Sequence, residues 1–443
     1  MIESIGSRLP MPPLAQPRAE GTPKQAVPGD SVVLGATPSL PKAPTFKAAP
    51  KADDGTQPPA DPTPKKWTVM VWGAADNNLL PFEIHNIKDI ETVGSTSDVN
   101  VVTQFDFGDP TGASRILLQK GSAPEGEIAS PAVEQLGNVD MADPQTMSDF
   151  IQWSMTNYPA EHYMFIVNDH GDGWRGCIED DSAGTFMTLP QLHAGLQNAQ
   201  DATGTKIDVL GFDACLMAMG EVGYELKDNA SFIVGSQQTE GAAGWRYSTI
   251  LTTQLLTGLN EAIRKRLPVE PKDVAAAAVT SAQTTQDDLP TMSAFDLSKA
   301  EDLKSAMDVF AAEFTKDGSF DTSRMSDIYY NTQGFYDYSD LASFCQNVKD
   351  EPSSSDALKA AADGVLSAVS SMVIAEEHSS DYPNAHGVSI ELGADLSGYG
   401  ETQFAQNSQW TGVQAKIQSA LSSAPAPGGD GDGGDGDDRL RAA

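Results

Sequence analysis

Residues 161–176 read EHYMFIVNDHGDGWRG. The apolar run Met164 to Val167 stops abruptly on Asn168-Asp169-His170 and gives way to a glycine-punctuated turn. Residues 207–220, IDVLGFDACLMAMG, repeat the shape, and their apolar run ends on Cys215. Short apolar runs bounded by turn residues fit strands that are buried on both faces. In an open parallel sheet, sites form where the chain leaves the carboxyl ends of strands. The two stretches therefore predict two strand ends, one carrying a histidine and the other a cysteine.

The same alternation extends outward on both sides. WTVMVWGA (67–74), VNVVTQFDF (99–107), SRILLQKG (114–121) and SFIVGSQQ (231–238) read as further strands. DNNLLPFEIHNIKDIETV (76–93), MSDFIQWSMTNYP (147–159) and LPQLHAGLQNAQDATG (189–204) have helical spacing, the last with a glycine stop. Strands separated by helices predict an α/β fold, a mostly parallel sheet sandwiched by helices. After residue 260 the alanine-rich stretches read as a mainly helical C-terminal extension, until HGVSIEL (386–392) offers a late strand.

Residues 1–65 hold 14 of the 28 prolines and little apolar periodicity, so they cannot bury enough surface to offset ordering. They read as a disordered leader. A Gly/Asp tail, 421–443, closes the chain; its DGDG rhythm suggests calcium loops but lacks a closing glutamate and flanking helices. The body between divides into 66–256, carrying the strand–helix alternation, and 257–420, the helical region.

The formal charge is −34, of which the leader and tail account for a net −2, so the body carries −32. Such a surface repels phosphate backbones and excludes nucleic acid as a partner, while drawing in cationic substrates. No stretch approaches 18 apolar residues, so no membrane span is expected. The N-terminal MIESIGSRLPMPPLAQPRAEG has no apolar signal-peptide core, which leaves the cytoplasm as default and non-classical export open. Three cysteines, Cys177, Cys215 and Cys345, are too few for a disulfide framework; one pair plus a thiol, or three thiols, are both open. A monomer acting on peptides or proteins is the expectation.

A thiol nucleophile needs an imidazole to take its proton and backbone N–H donors for the oxyanion that follows attack. His170 and Cys215 sit where strands end, beside the small residues Gly171 and Ala214. The amides of Gly171 and Cys215 are the natural donors. Spacing alone leaves two readings open, a thiol–imidazole pair or two packed strand-end residues. Cys177 lies in the turn after His170, and His386-Gly387 lacks a preceding strand. His85, His162, His193 and His378 fall in or beside helical patterns and read as surface or packing residues.

KKWTVMVWGAADNNL (65–79), IVNDHGDGW (166–174), DVLGFDACLMAMGEVGYEL (208–226) and EGAAGWRYS (240–248) together resemble clostripain-type cysteine peptidases, family C11. That family belongs to the clan of caspases, legumains and gingipains. TMSAFDLSKAEDL (291–303) and NAHGVSIEL (384–392) extend the resemblance to roughly 66–418. It implies a caspase-like sheet and endopeptidase activity by a Cys–His dyad. Cys215 would be the nucleophile, His170 the general acid/base, and Gly171 part of the oxyanion hole. Asp213 matches an acidic residue lining the pocket for the P1 side chain, which would select Arg or Lys. The chemistry requires no cofactor or metal; the resemblance leaves Ca2+ open.

Two departures from the family pattern stand out. Relatives often carry a second acid in a loop reading E-P-G-D-G-W, where this chain has Ala243. Relatives are also often activated by a cut after a basic residue between the histidine and the cysteine. Here only Arg175 and Lys206 lie in that interval, so a single chain is expected. The alternatives to a peptidase are an inactive relative that binds peptides, and an acidic protein whose tail collects calcium.

Overall fold

The computed structural model describes residues 45–46, 63–124, 127–251, 270–282, 289–393 and 395–423. Nine strands form one sheet: β1 (Lys65–Gly73), β2 (Val99–Asp106), β3 (Ala113–Leu117), β4 (Ala132–Gly137), β5 (Ala160–Asn168), β6 (Ile207–Asp213), β7 (Ala230–Gly235), β8 (Thr291–Asp296) and β9 (Val373–His378). Their spatial order is β9-β8-β7-β6-β5-β1-β2-β3-β4. The five central strands, β7 through β2, pair in parallel, and both flanks continue antiparallel.

The central strands are buried on both faces, which is why their sequences read as unbroken apolar runs. Met70, Trp72, Phe165, Val167, Leu210 and Phe212 face one layer of helices. Val69, Val71, Met164, Ile166 and Val209 alternate with them and face the other. Each fully buried large side chain contributes about 1.5–3 kcal/mol. On the first face pack α2 (Pro144–Asn157) and α3 (Leu189–Thr203); on the second packs α1 (Leu80–Glu91), through Ile84, Ile87 and Ile90.

The helix limits follow local chemistry. Asp143 caps α2 by accepting from Gln145 N, with Pro144 in the first turn. Thr188 and Gln191 form a reciprocal capping box on α3, which stops at Gly204 with φ 68°.

The C-terminal half differs from its helical reading. TMSAFD and VIAEEH form β8 and β9 and extend the main sheet, while the late strand is only Ser389–Ile390, in a separate three-stranded sheet. Helices were legible there by period, but two short strands holding Ser, Thr, Glu and His were not. The boundary expected at 256/257 lies outside the described residues, and strands from either side of it share one sheet. Nearly all of the leader and tail also lie outside them. Within the leader, where composition predicts no structure, Thr45–Phe46 pairs in parallel with Glu127–Ile128.

Candidate active site

β5 and β6 are parallel neighbours whose last in-register pair is Asn168 with Asp213. His170 and Cys215 each lie two residues beyond that pair. The register that aligns the strands therefore delivers both side chains to one edge. Asp169 N donates to Asp213 O at 3.2 Å, carrying the ladder one step further. The two loops then close on each other at Gly171. A Cβ built there would fall 2.3 Å from Cys215 O and 3.0 Å from Cys215 N, so only glycine fits.

Gly171 also forms a non-hydrogen-bonded bridge with Cys177; the flanking bonds are Asp172 N to Gly176 O and Ile178 N to His170 O. Its own amide consequently points away from Cys177. Just past the cysteine, Leu216 adopts φ 67°, a left-handed turn that is rare for a bulky residue and costs about 1–2 kcal/mol. That turn breaks the strand direction directly after Cys215.

The side chains are held from several elements. His170 Nε2 lies 2.6 Å from Asn78 Oδ1, at the start of α1. An amide oxygen can only accept, so Nε2 carries the proton and Nδ1 is left to accept one. Neighbouring Asn77 donates to Asp169 Oδ1 at 2.6 Å, and Glu179 N donates to Asp169 Oδ2 at 2.6 Å, which anchors the residue preceding the histidine. Burial pushes the Asp169 carboxyl well above the usual range. Cys215 Sγ receives the Glu240 amide at 3.2 Å, a donor that favours negative charge on sulfur.

Asp213 is buried beneath this edge. Its Oδ1 accepts from Trp245 N at 3.1 Å; its Oδ2 accepts from Asn168 Nδ2 and from Tyr247 OH, the latter at 2.8 Å. Burial, opposed by these donors, pushes its pKa up to about 6. Asn78, Asp169, Glu240 and Tyr247 were not visible as site residues in the sequence; the only signal was that all four fell inside family-like stretches.

The remaining cysteines and histidines lie elsewhere. None of the three cysteines is in a disulfide, and Cys177 and Cys345 are buried with their pKa values raised by burial. His162 lies on a strand and meets Asp208 at 3.3 Å, His193 meets Asn229 at 2.7 Å, and His378 meets Glu376 at 2.7 Å; His85 is exposed. His386 pairs with buried Asp340 at 3.0 Å. Among the described residues no group of three or more His, Cys, Asp or Glu is placed to hold a metal ion. No described helix is long and apolar enough to cross a membrane.

The model of the clostripain family, Peptidase C11, matches residues 71–411. The chain belongs to that family. The clostripain of Hathewaya histolytica is 23% identical over 372 residues, covering 70% of each protein. Among solved structures, a secreted C11 cysteine protease of Bacteroides thetaiotaomicron, "iotapain", superposes with TM-score 0.59 at 17% identity, over 80% of this chain and 100% of that one. An inactive zymogen C11 protease of Parabacteroides distasonis gives TM-score 0.55 at 20% identity, over 80% and 99%. At these identities the likeness shows a shared fold, the caspase-like sheet expected from the sequence.

The two basic residues between His170 and Cys215 are tied down. Arg175 donates to Tyr338 OH at 2.8 Å and Asp395 O at 2.9 Å, and its guanidinium lies 4.8 Å from the centre of the Trp174 ring. Lys206 Nζ donates to Lys227 O at 2.9 Å. The exposed turn in this interval, Asp181-Ser182-Ala183-Gly184, carries no base. Mass spectrometry of active protein should therefore show one uncut chain through 171–214. Two fragments split in that interval, with activity appearing only after the cut, would contradict this.

Proposed function

We propose that the chain is a cysteine endopeptidase working through Cys215 and His170, cutting after Arg or Lys. The observation that carries this reading is the contact of Gly171 with the Cys215 peptide, which joins the two loops at the sheet edge. The Cys215 thiol gives its proton to His170 Nδ1, and sulfur attacks the scissile carbonyl carbon. The carbonyl oxygen becomes the oxyanion, met by the amides of Gly171 and Cys215. His170 returns the proton to the leaving amine, and water then hydrolyses the thioester with the histidine as base. The buried acid below the edge and the net charge of the body both favour a cationic P1 group.

The test is hydrolysis of fluorogenic peptides with Arg, Lys, Ala or Asp at P1 by wild type and Cys215→Ala. Cleavage of the Arg and Lys peptides, lost in the variant, is the expected result. Binding of these peptides without turnover would instead identify a peptide-binding relative.

In this mechanism Asn78 is a positioning residue, since it reaches substrate only through His170. Asn78→Ala should lower kcat about 10-fold to 100-fold with little change in KM, the scale of outer partners of a working histidine. The acid limb of the kcat profile should also move, because the ring loses its fixed tautomer; Asn78→Asp should shift that limb upward by adding charge. An unchanged profile in both variants would remove Asn78 from the mechanism.

A further inference from the structure

Asp213 has little capacity left for a ligand. Three donors already occupy its oxygens, and a Cβ built on Gly244 would lie 2.8 Å from both of them, so the 240–247 loop is wrapped directly over the carboxylate. Glu240 differs. Its backbone amide touches the sulfur of Cys215, placing the residue beside the bond to be cut. Both of its carboxyl oxygens are buried without a well-formed hydrogen bond among the described residues, and the polar groups within reach are the Asp213 carboxyl and the Trp245 indole. The Trp245 indole N–H has no well-formed bond either and lies beside the Glu240 carboxyl, whose charged form it favours. An unsatisfied buried carboxyl costs several kcal/mol and calls for an explanation at a functional site.

We propose that Glu240 is the residue that receives the P1 cation, and that Asp213 below it is the anchor of the loop. This rests on the basic-P1 reading above. It also accounts for Ala243: the acid missing at that position is supplied three residues earlier on the same loop. The Glu240 carboxyl is pushed well above its ordinary range by burial and by the adjacent Asp213. Two neighbouring buried carboxyls do not both ionise readily, so without a cation beside it the pair tends to keep a proton. A guanidinium entering the pocket favours the ionised form, and that proton passes to solvent.

The other titratable groups facing the pair are Tyr247 on the loop, Cys215 and His170 at the edge, and Glu83 on α1 with Asp169 beside it. Tyr247 and Glu83 are both raised by burial first, which disfavours their charged forms. Arg246, the next cation along the loop, is exposed.

The experiment compares two peptides identical except for Arg or its uncharged isostere citrulline at P1. The ratio of their kcat/KM values is followed from pH 5.5 to 8.5. Titration of the dyad cancels in that ratio, since both substrates use the same Cys215 and His170. In wild type the ratio should favour Arg by about 100-fold or more at pH 8, the scale of a buried charge pair. It should rise with pH by up to about tenfold per unit while one proton is displaced, then level off.

Glu240→Gln should cut the ratio at least about tenfold and flatten its pH dependence. A Gln variant that keeps both ratio and slope overturns the assignment of Glu240 and leaves the basic-P1 reading standing. A wild-type ratio near one overturns both. The wild-type slope needs no substitution, so even if the variant fails to fold, a flat wild-type ratio overturns the proposal.

Discussion

Cys215→Ala should lower hydrolysis of the Arg peptide by about four to six orders of magnitude, and His170→Ala by a similar factor. Members of a nucleophile–base pair act as a unit, and removing either abolishes most of what the pair supplies. The fold should survive. Cys215 is only partly buried and lies in a loop past the strand, so removing its sulfur opens no core cavity. Thermal unfolding within a few degrees of wild type would establish that the loss is chemical. Cys177→Ala is the opposite case: its buried thiol packs in the core and should cost about 1 kcal/mol of stability while leaving most activity. Wild-type turnover by Cys215→Ala, or loss of activity in Cys177→Ala without unfolding, would place the nucleophile elsewhere.

Gly171→Ala carries the second large effect. The added methyl would have to share space with Cys215 O at 2.3 Å, Cys215 N at 3.0 Å and Ala214 Cβ at 3.1 Å. Two of these are backbone atoms that cannot rotate away, so the His170 and Cys215 loops must separate. Overpacking of this kind costs about 1–3 kcal/mol of stability. Because the displaced amides are those proposed to meet the oxyanion, kcat should fall by about 10²–10³-fold, the cost of losing one such donor. KM should change far less. Gly364, on the helix Asp356–Met372, is the control: a Cβ there meets nothing, and Ala should stabilise the helix by about 0.5–1 kcal/mol without touching activity. Equal kinetics for Gly171→Ala and wild type would show that the close approach at Cys215 has no catalytic role.

The proposal divides the basic-P1 reading between two acids. Asp213 stands out in the sequence as the acid two residues before the cysteine, and the expectation is that it meets the P1 side chain directly. The structure surrounds it with Asn168, Tyr247 and Trp245 N, and sets the buried Glu240 carboxyl beside it. The motif position of a second acid holds Ala243 in this chain, and no local pattern marks that Glu240, three residues before it, folds back beside Asp213.

What the sequence by itself determined is whatever depends on neighbours along the chain. Apolar runs buried on both faces marked the central parallel strands, since each residue of such a strand meets a helix layer. The glycine stop at Gly204 marked a helix limit, since that bond closes within a few residues, whereas the cap at Asp143 starts its helix three residues before the expected Met147. The abrupt ends on His170 and Cys215 were legible for the same reason. Only the tertiary structure decided which distant groups meet there. Asn78 reaches His170 across 92 positions, Tyr247 reaches Asp213 across 34, and Glu240 reaches Cys215 across 25. β8 and β9 joined the sheet although their own residues alternate poorly, because β7 offers its edge to β8 and β8 in turn to β9, hydrogen-bond partners that a short polar strand cannot find by itself. Local pattern reports whether a residue is buried; only the packed sheet, by bringing separate segments within bonding distance, determines what it touches.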